Sequence, residues 1–346
     1  MSITKKILLT VLILLLGLGL YYRDLLSYGY MQARGQASVL LNTRPITEVM
    51  ADKNFPDSLK KQLQLITEIK QFAIDSLGLD SSGSYTQLYD QRGLPILWVL
   101  TASEQYRLVA KEWTFPVIGR FSYKGYFDST RANAEQKQYI AEGFDTQLNE
   151  VSAWSTLGYL DDPVLSSMLY RSEGQLANLI SHELTHGTVF VKDNLELNEN
   201  LASFVGDYGA VRFLNYKFGK NSGQLKRYEF QKKYGDAYSQ HILKGAKQLD
   251  SLYASKDFQQ KANPLKDSVK LKIVGQIMSS TDTLLARGVK KYRRGIDNKL
   301  PNNAFFIGYL TYRSKQNDFK VEFEQKFKGN FISYLKYLKT KYPTSF

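Results

Sequence analysis

The spacing of apolar residues changes along the chain, and each spacing predicts a different element. From Ile7 to Leu20 the chain is almost wholly apolar, interrupted by Thr10, Gly17 and Gly19, and closed by Tyr21-Tyr22-Arg23. This run is shorter than the roughly 20 residues of a typical membrane span and overlaps in length with the core of an export signal. Lys5-Lys6 before it holds the amino terminus in the cytoplasm, so the chain beyond the run is exported. Gly17-x-Gly19 makes a poor cleavage site and the tyrosines suit a membrane interface. Residues 1–23 are therefore read as an uncleaved signal anchor, with a cleaved signal as the alternative, and residues 24–346 as one exported body.

Arg23 to Ala51 has helical spacing, with a helix start at Arg44-Pro45. Leu59, Leu63, Ile66, Ile69, Phe72 and Ala73 make one stripe, predicting a helix from Asp57, its cap, to Leu77, with Gly78 ending it. Between Ile96 and Val151 the pattern becomes β-branched and aromatic, broken by glycine and proline. Strands are expected at residues 96–100, 115–119, 121–127 and 147–151, with a helix at 128–142. Ala153 to Tyr159 links this sheet to a helical region starting at Asp161-Asp162-Pro163. Beyond Leu214 the chain reads as charged helices: 224–254, 264–292, and 303–342 in two pieces. The expected fold is α+β: a mostly helical domain with a small antiparallel sheet upstream of a helix from Gln175 to Val191. No repeat or linker marks a further domain.

That helix carries the chemistry. His182 and His186 are one helical turn apart and share a face, so both imidazoles can reach one ion. Glu183 is angled to take a proton from an attacking water without being a ligand. Two histidines for a single Zn²⁺ and a glutamate as general base are the parts of a zinc hydrolase. Two of the three histidines in the chain fall in this motif. A catalytic zinc usually has three protein ligands, and the remaining histidine, His241, is far downstream, so a carboxylate is expected to complete the set. Glu199 is preferred: Asp193-Asn194 reads as a turn, and Asn198 as the cap of a second helix through Val211, which puts Glu199 in a rigid first turn. Glu196 is the rival, in the connecting loop. Asp207 is placed to hold an imidazole N–H.

Composition narrows the alternatives. The 346 residues are 43% apolar and 23% charged, as in a globular protein, and they include no cysteine. Disulfides, thiolate metal sites and a cysteine nucleophile are excluded. The net charge of +13 is read as a solvated basic surface. Lys290-Lys291-Tyr292-Arg293-Arg294 is the densest basic run, and the tyrosines form no aromatic-basic motif, so no nucleic-acid partner is expected.

Arg34-Gly35-Gln36, Arg44-Pro45-Ile46, Phe115-Pro116-Val117, Lys124-Gly125-Tyr126-Phe127, Ser155-Thr156-Leu157-Gly158, Asp162-Pro163, the His182 motif, Asn198-Glu199, Asn302-Asn303-Ala304 and Tyr312 occur in an order that resembles the bacterial predicted-aminopeptidase family. The resemblance implies a zincin-like fold of gluzincin type, one zinc held by His182, His186 and Glu199, and a peptide substrate. The chain departs from the family's usual residues at Thr185, Gly187, Asn194 to Leu197, and Gly206. The expectation is a membrane-attached zinc metallopeptidase, an aminopeptidase on the family's name, with Glu183 and Tyr312 as its catalytic residues. Tyr312 is the candidate oxyanion donor, with Tyr208 and His241 behind it. An endopeptidase, a cell-wall peptide hydrolase and a membrane-anchored scaffold with a vestigial site are the competing readings.

Overall fold

The computed structural model describes residues 2–115, 119–151, 156, 160–281 and 300–344. The middle of the strand expected at 115–119, the 153–159 link apart from Thr156, the basic run at 290–294 and the end of the helix expected at 264–292 lie outside the described residues.

The apolar run forms a single helix, α1 (Ile3–Tyr21), long and apolar enough to cross a membrane and with no residue buried. It passes directly into α2 (Arg23–Leu41), because the Leu26 N–H still reaches the Tyr22 carbonyl at 2.9 Å. Tyr28 of α2 donates to the Gly125 carbonyl at 2.9 Å, which ties this helix to the body. A short strand β1 (Thr43–Pro45) comes next, then α3 (Ile46–Ala51) and α4 (Asp57–Leu77). The predicted stripe is the buried face of α4, and Gly78 ends it in the left-handed conformation at φ 73°. The cap position is Pro56; Asp57 is the first helical residue and complements the helix dipole instead.

Among the described residues the strands form three small sheets. In the first, β2 (Gln87–Tyr89) lies between β1, antiparallel, and β8 (Val164–Leu165), parallel. In the second, β3 (Trp98–Glu104) lies between β6 (Lys124–Tyr126) and β7 (Phe144–Glu150), both antiparallel to it. The third is a ribbon of β4 (Trp113–Phe115) and β5 (Gly119–Phe121). The expected antiparallel sheet is thus the second of these, with the ribbon apart from it. The β2–β8 pairing joins segments separated by some seventy residues and has no local signature. Arg44-Pro45 ends β1 and marks the helix start expected there, Pro45 being the cap position of α3; Val164 is a strand residue, so helix α6 (Glu173–Thr188) begins only after a 3₁₀ turn at Ser166–Tyr170.

Helix α5 (Ser129–Ala141) lies within the expected 128–142, with Asp128 as its cap. The remaining described elements are helices: α7 (Leu195–Phe218), α8 (Gly223–Ala254), α9 (Lys256–Gln259), α10 (Asn263–Ser279), α11 (Asn303–Arg313), α12 (Gln316–Phe327) and α13 (Phe331–Lys341). The carboxy-terminal stretch is three helices, not two. The main core joins α4, α6, α7, α12 and α13; a second cluster joins α8, α10 and α11; a third lies on the second sheet. The architecture is α+β, mostly helical with small sheets.

Candidate metal centre

The centre is built on α6 and α7. Helix α6 starts at a capping box in which the Ser172 N–H donates to Gln175 Oε1 at 3.1 Å and the Gln175 N–H returns to Ser172 Oγ. After Thr188 the chain turns back through Asp193, at φ 59°, whose Oδ1 accepts the Arg120 N–H at 2.7 Å. Helix α7 then packs along α6 so closely that glycine is required at two positions. A Cβ on Gly206 would lie 2.8 Å from the Asn178 carbonyl and 3.2 Å from His182 Cβ; one on Gly209 would lie 2.5 Å from Ser181 Oγ.

Asn194, not Asn198, caps α7, accepting the Leu197 N–H at 3.2 Å. Asn198 is inside the helix and grips the turn instead: its Oδ1 accepts the Val191 N–H at 2.9 Å and its Nδ2 donates to the Val191 carbonyl at 2.8 Å. Glu199 therefore sits in the second turn, with its direction set by that clamp.

This geometry brings His182, His186 and Glu199 together. Their Nε2, Nε2 and Oε2 atoms stand 3.3 Å apart for the two histidines, 3.3 Å from His182 to Glu199 and 3.8 Å from His186 to Glu199. Donors on a tetrahedral ion at about 2.0–2.1 Å are spaced by about 3.3 Å, so these separations suit one small ion. His186 and Glu199 are buried, and His186 Nδ1 has no hydrogen-bond partner among the described residues. Burial pushes the His186 imidazole down to about 4 against the opposing pull of Glu199. Burial also lowers His182 and raises Glu199. Neutral imidazoles and a carboxylate turned toward one another supply lone pairs without donors, which is what a cation needs.

Glu183 lines a cavity of about 40 Å³ with Ser84, Tyr85, Asp162 and Gly187, and its charge acts on His182. After burial, the Glu183 charge is the next cause raising the Tyr85 phenol. Tyr312, in the last turn of α11, has its phenol raised well above the ordinary value by burial, then by Glu199, Tyr123 and Glu183. As a residue Tyr312 is 36% exposed.

Other candidates are engaged elsewhere. Glu196 faces α11 and α12, accepting from Ser314 Oγ and, at 2.8 Å, from Lys315 Nζ. Tyr208 stacks on Phe331 at 4.6 Å, and His241 Nε2 lies 2.8 Å from the Ile277 carbonyl. Asp207 accepts from Asn178, Tyr228 and Lys232, and its charge raises His182 from a distance. Of the unusual residues, Thr185 bonds its own helix at the Ser181 carbonyl, Gly187 faces open space, and Gly206 is the close-packing point. Two residues at the centre were not anticipated. Tyr123, in the short turn between β5 and β6, has its phenol raised by burial, then Glu199 and Glu183. Arg313 helps depress His182. Tyr123 directly precedes the Lys124-Gly125-Tyr126-Phe127 run, which was the one signal for it in the sequence.

Two imidazoles a turn apart on one helix and a buried carboxylate on the next define a protein with a three-ligand site able to hold a metal ion. The chain belongs to the family described as "Putative aminopeptidase", whose family model matches residues 27–342. No curated protein and no solved structure matches it.

Proposed function

We propose that the protein is a zinc-dependent peptidase of zincin-like fold, removing amino-terminal residues from peptides. The observation that carries this reading is the convergence of half-buried His182 with buried His186 and Glu199, together with a further carboxylate, Glu183, whose charge acts on His182. When bound, the ion supplies a Lewis acid that acidifies water and polarises a carbonyl. Glu183 takes the proton of the attacking water and delivers it to the leaving amine. The Tyr312 phenol, whose hydroxyl stays protonated at neutral pH, donates to the developing oxyanion. Helix α1 anchors the chain with residues 24–346 outside the cytoplasm, on the strength of Lys5-Lys6 before it. The family's name supports a peptide substrate and attack from the amino end.

The test is a peptide-library digest with full-length protein in detergent, before and after metal removal, read by mass spectrometry. Ladders shortened from the amino end, abolished by chelation and restored by zinc, are expected. Internal cuts would make it an endopeptidase. Stoichiometric metal with no cleavage would favour the scaffold reading.

A further inference from the structure

The residue after the third ligand has an unusual set of partners. Asn200 is fully buried. Its Nδ2 donates to the Thr311 carbonyl at 2.8 Å and to the Glu196 carbonyl of its own helix at 2.7 Å, while its Oδ1 accepts the Lys315 N–H at 2.8 Å. Thr311 and Lys315 bracket the last turn of α11 and the step into α12. A helix end leaves carbonyls without intrahelical donors, and such turns fray unless something outside the helix bonds them. Here a side chain more than a hundred residues away in sequence bonds both sides of the turn. Glu196, one turn earlier on α7, grips the same turn from outside through Ser314 and Lys315. Tyr312, Arg313 and Ser314 lie between these bonds, and of the three Tyr312 is the candidate oxyanion donor.

Successive residues on a helix point about 100° apart. Glu199 accordingly faces the imidazoles of α6 while Asn200 faces α11, so one turn of α7 carries both a ligand and a clamp. We infer that Asn200 is a positioning residue: it sets the Tyr312 phenol relative to the Glu199 carboxylate. This rests on the reading of Tyr312 as oxyanion donor.

The experiment compares Asn200→Leu, Tyr312→Phe and the double variant, using the aminoacyl-coumarin amide that the wild type cleaves fastest. Tyr312→Phe is expected to lower kcat by roughly 100- to 1,000-fold. Asn200→Leu should lower kcat by about 10- to 50-fold, with KM within about twofold and the same zinc content. The double variant should be no slower than Tyr312→Phe alone, because Asn200 acts through that phenol. In metal-free protein, amide hydrogen exchange at residues 311–316 should accelerate in Asn200→Leu and not in Tyr312→Phe. Multiplying effects in the double variant, unchanged exchange at 311–316, or loss of zinc from Asn200→Leu would overturn the Asn200 proposal alone. Full kcat in Tyr312→Phe would instead overturn the reading of Tyr312. Should Asn200→Leu not fold, Ser314→Ala removes the outer grip and carries the same test: a smaller kcat loss that vanishes in the Tyr312→Phe background, with multiplication again overturning the proposal.

Discussion

Asn303 and His186 are each almost entirely buried, and their surroundings obey opposite rules. Around Asn303, Nδ2 donates to the carbonyls of Glu104, Gln105 and Arg107 at 2.9–3.2 Å, Oδ1 accepts from Tyr253 at 2.9 Å, and the backbone N–H reaches Asp145 at 2.8 Å. Lys270 completes the set by donating to Asp145 and, at 2.8 Å, to the Gln105 carbonyl. Every donor there has an acceptor, and the network ties α10 and α11 to the second sheet. Around His186, Nε2 faces His182 Nε2 and the Glu199 carboxylate, and Nδ1 has no hydrogen-bond partner among the described residues. Buried polar groups in native proteins are normally paired. A cluster that pairs its groups holds the fold together; one that turns lone pairs inward is arranged for a cation.

The largest effect expected from this contrast is on chemistry alone. Glu183→Gln should reduce peptide hydrolysis by about 100- to 10,000-fold, the range of general acid–base catalysis, while folding and zinc content are unchanged. Rates measured alongside metal analysis check it, and wild-type turnover would remove Glu183 from the mechanism. The paired cluster should behave in the converse way. Lys270→Met leaves Asp145 buried without its cation and should cost about 3 kcal/mol of stability, with zinc retained. Urea unfolding measures the loss, and a variant as stable as wild type would show that the network contributes little.

A smaller effect should cross the boundary between the two regions. Gly209→Val pushes a side chain against Ser181 and Leu77, where α7 approaches α6. Overpacking of this kind costs about 1–3 kcal/mol. Because the same helix pair carries the ligands, zinc affinity should weaken as well, which Lys270→Met does not do. Titration with a zinc-buffered indicator separates the two variants.

The smallest effect is on pH. The metal-free folded chain holds His186 at about 4, below its ordinary 6.5. Within that window the unfolded chain binds a proton that the folded chain does not, so stability falls as pH drops through it. Glu199, raised above 4.5, has the opposite sign: its contribution falls as pH rises through its own window. Urea midpoints between pH 4 and 7 should therefore show a flatter acid decline in metal-free His186→Leu and a steeper one in Glu199→Gln. Identical slopes in all three proteins would contradict the burial argument.

Where structure is set by local periodicity, it was legible in the sequence. Helix α4 runs between its predicted ends because its stripe keeps a 3.6-residue period up to a glycine that can adopt a left-handed conformation. Helix α5 falls within the expected 128–142, and two histidines four apart on a helix share a face whatever surrounds them. The start of α7 was harder to place, because Asn194 and Asn198 are both good caps and only the tertiary fold chooses between them. The packed turn at Val191 takes Asn198, which leaves the cap to Asn194. Glu199 joins the cluster, although not from the first turn that recommended it. Tyr85, Tyr123 and Arg313 come from three segments with no shared local pattern. Their approach to Glu183, Glu199 and His182 exists only once the sheets and α11 are in place. The parallel β2–β8 pair was invisible for the same reason.

The most direct measurement is the zinc content of Glu199→Ala and Glu196→Ala, beside wild type, after dialysis against a weak chelator. Glu199 faces both imidazoles within 3.8 Å, whereas Glu196 bonds Ser314 and Lys315. Wild type and Glu196→Ala should keep close to one zinc per chain, and Glu199→Ala almost none. Full retention by Glu199→Ala, or no retention by wild type, would contradict the assignment of this cluster as the metal centre.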